Sequence, residues 1–215
     1  MRATGRGEHI ITTAVEHPAT QSTCDQLADT GFRITRLPVG ADGRLDPADL
    51  LGALEPGTIL VSVMHANNEI GTLQPLADLA VLVRERGILL HTDAAQSLAT
   101  VAVDVEGLGV DLLTAVGHKM YAPKGVAALY IRRDTPPLVP QLVGGGQEHG
   151  LRAATENVPG IVALGPPPRS LRPSAPPTRP ASSRTANGYT ASSRPRYPGC
   201  ASTGRSPTGC PATSA

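Results

Sequence analysis

The feature that most limits how this chain can fold is a break in composition after Gly165. The 50 residues from Pro166 to Ala215 hold 11 of the 21 prolines, seven arginines, no acid, no lysine and one large aliphatic side chain, Leu171. Such a stretch buries too little apolar surface to offset its chain entropy, so residues 166–215 are expected to form a disordered tail. Two readings of it stand side by side. One is a natural basic linker that touches acidic partners through charge. The other is an out-of-frame translation of GC-rich DNA, because the legible pattern stops abruptly near Gly165. Residues 1–165 then carry 12 basic and 18 acidic residues, a net charge of −6, and all six histidines. The whole-chain charge of +1 averages two unlike segments. A body of that size can bury roughly 70% of its unfolded surface, enough for one domain.

Within the body, short aliphatic runs alternate with amphipathic ones. Residues 9–15, 33–37, 58–64, 88–92, 111–115 and 126–131 read as strands. Residues 18–30, 47–54 and 75–86 read as helices, the second opened by Asp46 as N-cap and the third with Pro75 in its first turn. Strand–helix alternation with such apolar strands predicts an α/β fold: a mostly parallel sheet with helices on both faces, the last strand departing from that order. Three cysteines far apart make no disulfide framework or metal knuckle, and the histidines lack zinc spacing, so no metal site is expected. With one Phe, four Tyr and no Trp, base-stacking platforms are absent and no specific nucleic acid is expected as a partner. No apolar run approaches the ~20 residues of a membrane span, and Met1 is followed by polar residues, so a cytoplasmic protein with no membrane partner is expected.

In sheets of this kind ligands gather beyond the carboxyl ends of the strands. Four such exits carry polar residues: Glu16-His17, His65 to Glu69, His91 to Gln96, and Gly117-His118-Lys119. Lys119 is one of two lysines in the body. A lysine partly withdrawn from water is an amine nucleophile able to form a Schiff base with a carbonyl; a strand-end lysine can equally snorkel to solvent. Asp93 could hold the protonated ring nitrogen of pyridoxal phosphate, or simply cap a helix over 94–98. Gln96 could donate to the same ligand from Asp93's helical face, or lie exposed. Asn68 could do likewise, or mark a turn. His17 could lie on a ring or cap the helix starting at Pro18. His118 could donate to a phosphate or be satisfied by backbone. Gly144-Gly145-Gly146 matches neither the dinucleotide fingerprint nor the P-loop. Cys24 falls on a predicted helix as a small buried side chain.

Taken together, HIITTAVEHPA (9–19), ILVSVMHANNEIGTLQP (59–75), HTDAAQ (91–96), VDLLTAVGHKMYAPKGVAALYIRR (110–133) and GGGQEHGLRAATENVPGIVALG (144–165) resemble the cysteine desulfurases and selenocysteine lyases of the class V aminotransferase group. The resemblance covers nearly all of the body in the family's order. It implies part of the large domain of a fold type I pyridoxal 5′-phosphate enzyme. By that likeness Lys119 is the cofactor-binding and catalytic lysine and Asp93 the partner of the pyridine nitrogen. Asn68 and Gln96 match the donors around the phenolic oxygen, His17 the histidine stacked on the ring, and His118 a phosphate ligand. Thr155 matches a threonine that reaches the phosphate held by the other subunit of a homodimer.

The activity implied is removal of sulfur or selenium from cysteine or selenocysteine, leaving alanine and a persulfide on a cysteine thiolate, with a sulfur acceptor or iron–sulfur scaffold protein as partner. Val116 stands where many desulfurases carry a serine, and leans toward the selenocysteine-lyase-like branch. Nothing before Arg2 matches the family's N-terminal phosphate loop, and nothing after Gly165 matches its smaller domain, with the nucleophilic cysteine and the substrate-clamping arginine. Cys200 and Cys210 lack the family's flanking residues, and the chain as written is expected to be inactive. Three other readings remain. Another class V enzyme, an aminotransferase or kynureninase-like hydrolase, needs no cysteine nucleophile. A non-catalytic remnant would act only as a dimer or binding module. A basic-tail binder of nucleic acid would lose its binding without residues 166–215 and with rising salt.

Overall fold

Five of the six strands run parallel, because each apolar run is followed by a connection long enough to cross back over the sheet. The computed structural model describes residues 7–165. The expected tail at 166–215, with Cys200 and Cys210, lies outside the described residues. The strands are β1 (His9–Thr13), β2 (Arg33–Leu37), β3 (Thr58–Ser62), β4 (Leu89–Asp93), β5 (Leu112–Val116) and β6 (Ala127–Ile131). The helices are α1 (Pro18–Asp29), α2 (Pro47–Ala53), α3 (Leu76–Arg84), α4 (Val105–Leu108) and α5 (Val158–Leu164). The sheet order is β2-β1-β3-β4-β5-β6, with β6 antiparallel to β5.

The chain steps one way from β1 to β2, then reverses past β1 to β3 and continues outward. Right-handed crossovers therefore place α1 on one face and α2, α3 and α4 on the other. The contacts agree, with α1 against β2, and α3 against β4, α2 and α4. The main core lies under the three-helix face. Ile11, Val61 and Leu90 meet in register across β1, β3 and β4, with Leu113 of β5 in register with Thr92, and Leu50, Leu76, Leu79 and Val83 cover them, all buried.

Local chemistry sets the element ends. At α2 the Asp46 carboxylate accepts from the Ala48 N–H at 2.8 Å, with Pro47 at the first helical position. Asp46→Ala is expected to cost about 1 kcal/mol, read from urea unfolding. Pro75 sits one residue ahead of α3, at its N-cap, rather than within the first turn. Gly109 closes α4 at φ 69°, where an added Cβ would meet the Ala80 methyl at 2.7 Å. The helix expected over 94–98 does not form; residues 95–100 are turns.

The amino-terminal edge of the sheet is held by a buried polar cluster. The His9 ring bonds Thr58 Oγ1 and Thr35 Oγ1, each at 2.8 Å, and lies 3.0 Å from Glu55, which also pairs with Arg33. Burial lowers the His9 pKa, against the opposing pull of Glu55.

Candidate active site

Parallel strands bring their carboxyl ends to one edge, so the segments after β1, β3, β4 and β5 meet there. Between β1 and β3 the connections diverge to opposite faces, the switch point beside which ligands bind in sheets of this kind.

The β3 exit lies at this point. The His65 N–H donates to the Asp93 carbonyl and the Val63 N–H to that of His91, extending the β3–β4 pairing beyond the strand. The His65 ring bonds Ser97 Oγ at 2.9 Å, and burial lowers its pKa. Asn67, buried, donates through Nδ2 to the Val15 carbonyl at 3.0 Å, while its Oδ1 accepts from the Glu69 and Ile70 amides. One side chain thus fixes the β3 exit turn and fastens it to the β1 exit. Asn68, the asparagine singled out in the sequence, is exposed on that turn.

Glu16 is the residue that sequence reasoning passed over. It is 6% exposed, and its Oε1 accepts from the Thr13 hydroxyl at 2.7 Å and from the Met64 N–H at 2.9 Å. Its Oε2 is buried and has no partner among the described residues. Burial pushes the carboxyl up to about 7; the two hydrogen bonds oppose this, and the charge of Asp93 adds to it. His17 is exposed, and its Nδ1 accepts from the Ala19 N–H at 3.2 Å, capping α1.

Asp93 ends β4, half-buried, with Oδ1 accepting from the Ala95 N–H at 2.9 Å. Gln96, also half-buried, follows in the turn. On the sheet face below Asp93 the His91 ring joins Ser62 Oγ at 2.8 Å to Thr114 Oγ1 at 3.0 Å, a polar row across β3, β4 and β5. Burial holds the His91 pKa down, against the pull of Asp93.

His118 and Lys119 lie in a single 3₁₀ turn, Gly117–Lys119, directly after β5. Gly117 makes this turn possible: an added Cβ would stand 2.8 Å from the Val126 carbonyl oxygen. Beyond it Tyr121 is held at φ 64°, fully exposed. The Ala94 N–H donates to the Thr114 carbonyl, so Asp93 and the segment leading to Lys119 leave neighbouring strands side by side. Among the described residues, neither Lys119 nor Asp93 is engaged in an ion pair, which leaves one free amine and one free carboxylate oxygen at the same edge.

The structure therefore gathers His17, Asn68, Asp93, Gln96, His118 and Lys119 at one edge. Thr155 stands apart, exposed, in an open depression lined also by Gln141, Gly144, Gly145 and Arg152. None of the strand-exit residues lines that depression. Among the described residues no cluster of three or more His, Cys, Asp or Glu could hold a metal, and no helix is long and apolar enough to cross a membrane.

Comparison with known proteins supplies the family. The profile described as aminotransferase class V matches residues 1–167. Cysteine desulfurase IscS of Dictyoglomus turgidum is 51% identical over 160 residues, covering 74% of this chain and 40% of that protein. The IscS of Anaeromyxobacter dehalogenans is 49% identical over 161 residues, with the same coverage. Among solved structures, a NifS-like protein superposes with a TM-score of 0.71 at 41% identity, over 74% of this chain and 44% of that one. SspA in complex with cysteine gives 0.70 at 42% identity, over 74% and 46%. The chain thus spans about 40% of the length of the curated relatives it matches. Members of this group depend on pyridoxal 5′-phosphate. The six-stranded sheet, the polar residues at its carboxyl edge and the matched profile place the chain in the class V aminotransferase family.

Proposed function

We propose that this chain is the cofactor-holding portion of a cysteine-desulfurase-like enzyme, which removes sulfur from cysteine to give alanine and a persulfide. The observation that carries the reading is the placement of Asp93 and Lys119 at the same edge of adjacent parallel strands, both free of ion pairs. The residues present fit pyridoxal 5′-phosphate. Lys119 Nζ would hold it covalently and Asp93 would hold the proton of its ring nitrogen. His17 would lie against the ring, Asn68 and Gln96 would donate to its phenolic oxygen, and His118 to its phosphate. When bound, the cofactor supplies an electron sink for the bonds at the substrate's α-carbon.

The chain's own groups do the rest. Lys119 would supply an amine able to take and return a proton. Asp93 would lend its carboxylate to the ring nitrogen, which would favour the charged form of that nitrogen. Asn67 holds the β3 exit turn against the β1 exit and so fixes where Asn68 is presented. The sulfur passes to a thiolate, the reactive form of cysteine, for which no cysteine of this chain is assigned. Thr155, away from the strand exits, fits a role across a homodimer, at a phosphate held by a second copy. Selenocysteine as an alternative substrate, suggested by Val116, and an iron–sulfur scaffold or other sulfur acceptor as partner belong to the same proposal.

The test is chemical trapping. The full chain is incubated with pyridoxal 5′-phosphate, reduced with borohydride and mapped. The phosphopyridoxyl group is expected on Lys119 and not on Lys124, and to disappear in Lys119→Ala. Modification at Lys124 with Lys119 untouched overturns the assignment.

A further inference from the structure

The buried Glu16 carboxyl takes no part in the scheme above, yet it stands at the reversal point of the sheet, between the exits of β1 and β3. Both donors to it, the Thr13 hydroxyl and the Met64 N–H, converge on Oε1. Oε2 is buried with nothing to accept from or donate to among the described residues. A carboxylate so placed would leave one charged oxygen desolvated and unpaired, which is costly; a neutral acid there carries its proton on Oε2 and leaves Oε1 to both donors.

The charged and titratable groups around it point the same way. From the end of β4, Asp93 repels a second negative charge. From α1, burial pushes the Cys24 thiol up, so it brings no charge to Glu16. Arg36 is engaged by Asp25 at 2.6 Å, and no cation pairs with Glu16 among the described residues.

We propose that Glu16 is a positioning residue for Asp93: a neutral acid at the β1–β3 seam that adds no second buried negative charge beside Asp93. This deepens the cofactor reading and rests on it for its meaning. A single carboxylate opposite the ring nitrogen sets one charge state there; ionising Glu16 places a second negative charge nearby and strengthens the hold on that nitrogen's proton.

The decisive measurement needs no cofactor. Infrared difference spectra of the full chain are expected to show the carbonyl stretch of a protonated, buried carboxylic acid at about pH 6 that bleaches by about pH 8, with a midpoint near 7. Glu16→Gln, which keeps the shape of the neutral acid, is expected to lack the band. Asp93→Asn is expected to shift the midpoint downward, because it removes a repelling charge. With pyridoxal 5′-phosphate added, the visible absorbance of the unmodified chain is expected to titrate over the same interval and that of Glu16→Gln to stay flat. A band that persists in Glu16→Gln, its absence from the unmodified chain at about pH 6, or a midpoint unmoved by Asp93→Asn overturns the proposal. Should Glu16→Gln fail to fold, the unmodified chain and Asp93→Asn still decide it. Loss of Lys119 trapping with the infrared results intact would instead overturn the cofactor reading alone.

Discussion

Leu90→Ala is expected to lower stability by about 3 kcal/mol, the middle of the range for a fully buried leucine whose cavity only partly collapses. Leu90 is 0% exposed in β4, with Val61 in register beside it and α3 above. Neighbouring strands on both sides pin its backbone, so the walls cannot close over the lost methyls. For a body of this size, ~3 kcal/mol corresponds to a fall of about 6–12 °C in Tm. Leu51→Ala, on the outward side of α2 and 46% exposed, is the matched control and should move stability by no more than about 0.5 kcal/mol. Thermal unfolding of the two variants checks the claim; equal losses would mean that the three-helix face is not the core.

A second large effect is expected from pH. The Glu16 carboxyl titrates near 7 in the folded chain, against an ordinary value of 4.5. The folded state therefore binds the proton more tightly, and that stabilisation is fully present below the ordinary value and lost as pH rises through about 7. The full swing is on the order of 3 kcal/mol. The histidines act in the opposite sense. His9, His65 and His91 all have lowered pKa values from burial, so the stability that they contribute is present above the ordinary histidine value of 6.5 and lost as pH falls. Stability is thus expected to be highest between those two losses, just below neutrality. Denaturant unfolding across pH should show a decline on the alkaline side that Glu16→Gln abolishes and an acid-side decline that it leaves in place. An alkaline decline of equal size in Glu16→Gln would place its origin elsewhere.

The strands were legible because each lies buried in a parallel sheet and so reads as a near-continuous apolar run. All six expected strands exist, their ends displaced by at most two residues. Val15 and Met64 are apolar and tempted the strands onward, but the chain there already turns into the site. The turn at 95–100 escaped sequence reading for a different reason. Asp93 does bond the Ala95 N–H as a cap would, but the hydroxyls of Ser97 and Thr100 bond the carbonyls of Ala94, Gln96 and Ser97, offering the backbone local partners other than a continuing helix.

At the site, what could be read was what sits at a strand exit with an unusual side chain: Lys119, Asp93, His17. What could not be read was burial created by neighbours distant in sequence. Glu16 is buried because Met64, 48 residues away, comes to lie over it. The one available signal was an acid directly behind an apolar strand and just ahead of a proline-led helix. Asn67 and Asn68 differ by a single position on one turn, and only the closure of that turn onto Val15 decides which of them is buried.

The sheet keeps its two ends apart. His9, Thr35, Thr58 and Glu55 lock one end, while Asp93, Lys119 and the other strand-exit residues proposed for chemistry lie at the opposite end. A protein engineer could accordingly diversify the exposed exit positions 69–70 and 99–102 in a combinatorial library while leaving the histidine-centred clasp and the buried Asn67 and Ser97 untouched, and expect new specificities to emerge without the scaffold being lost.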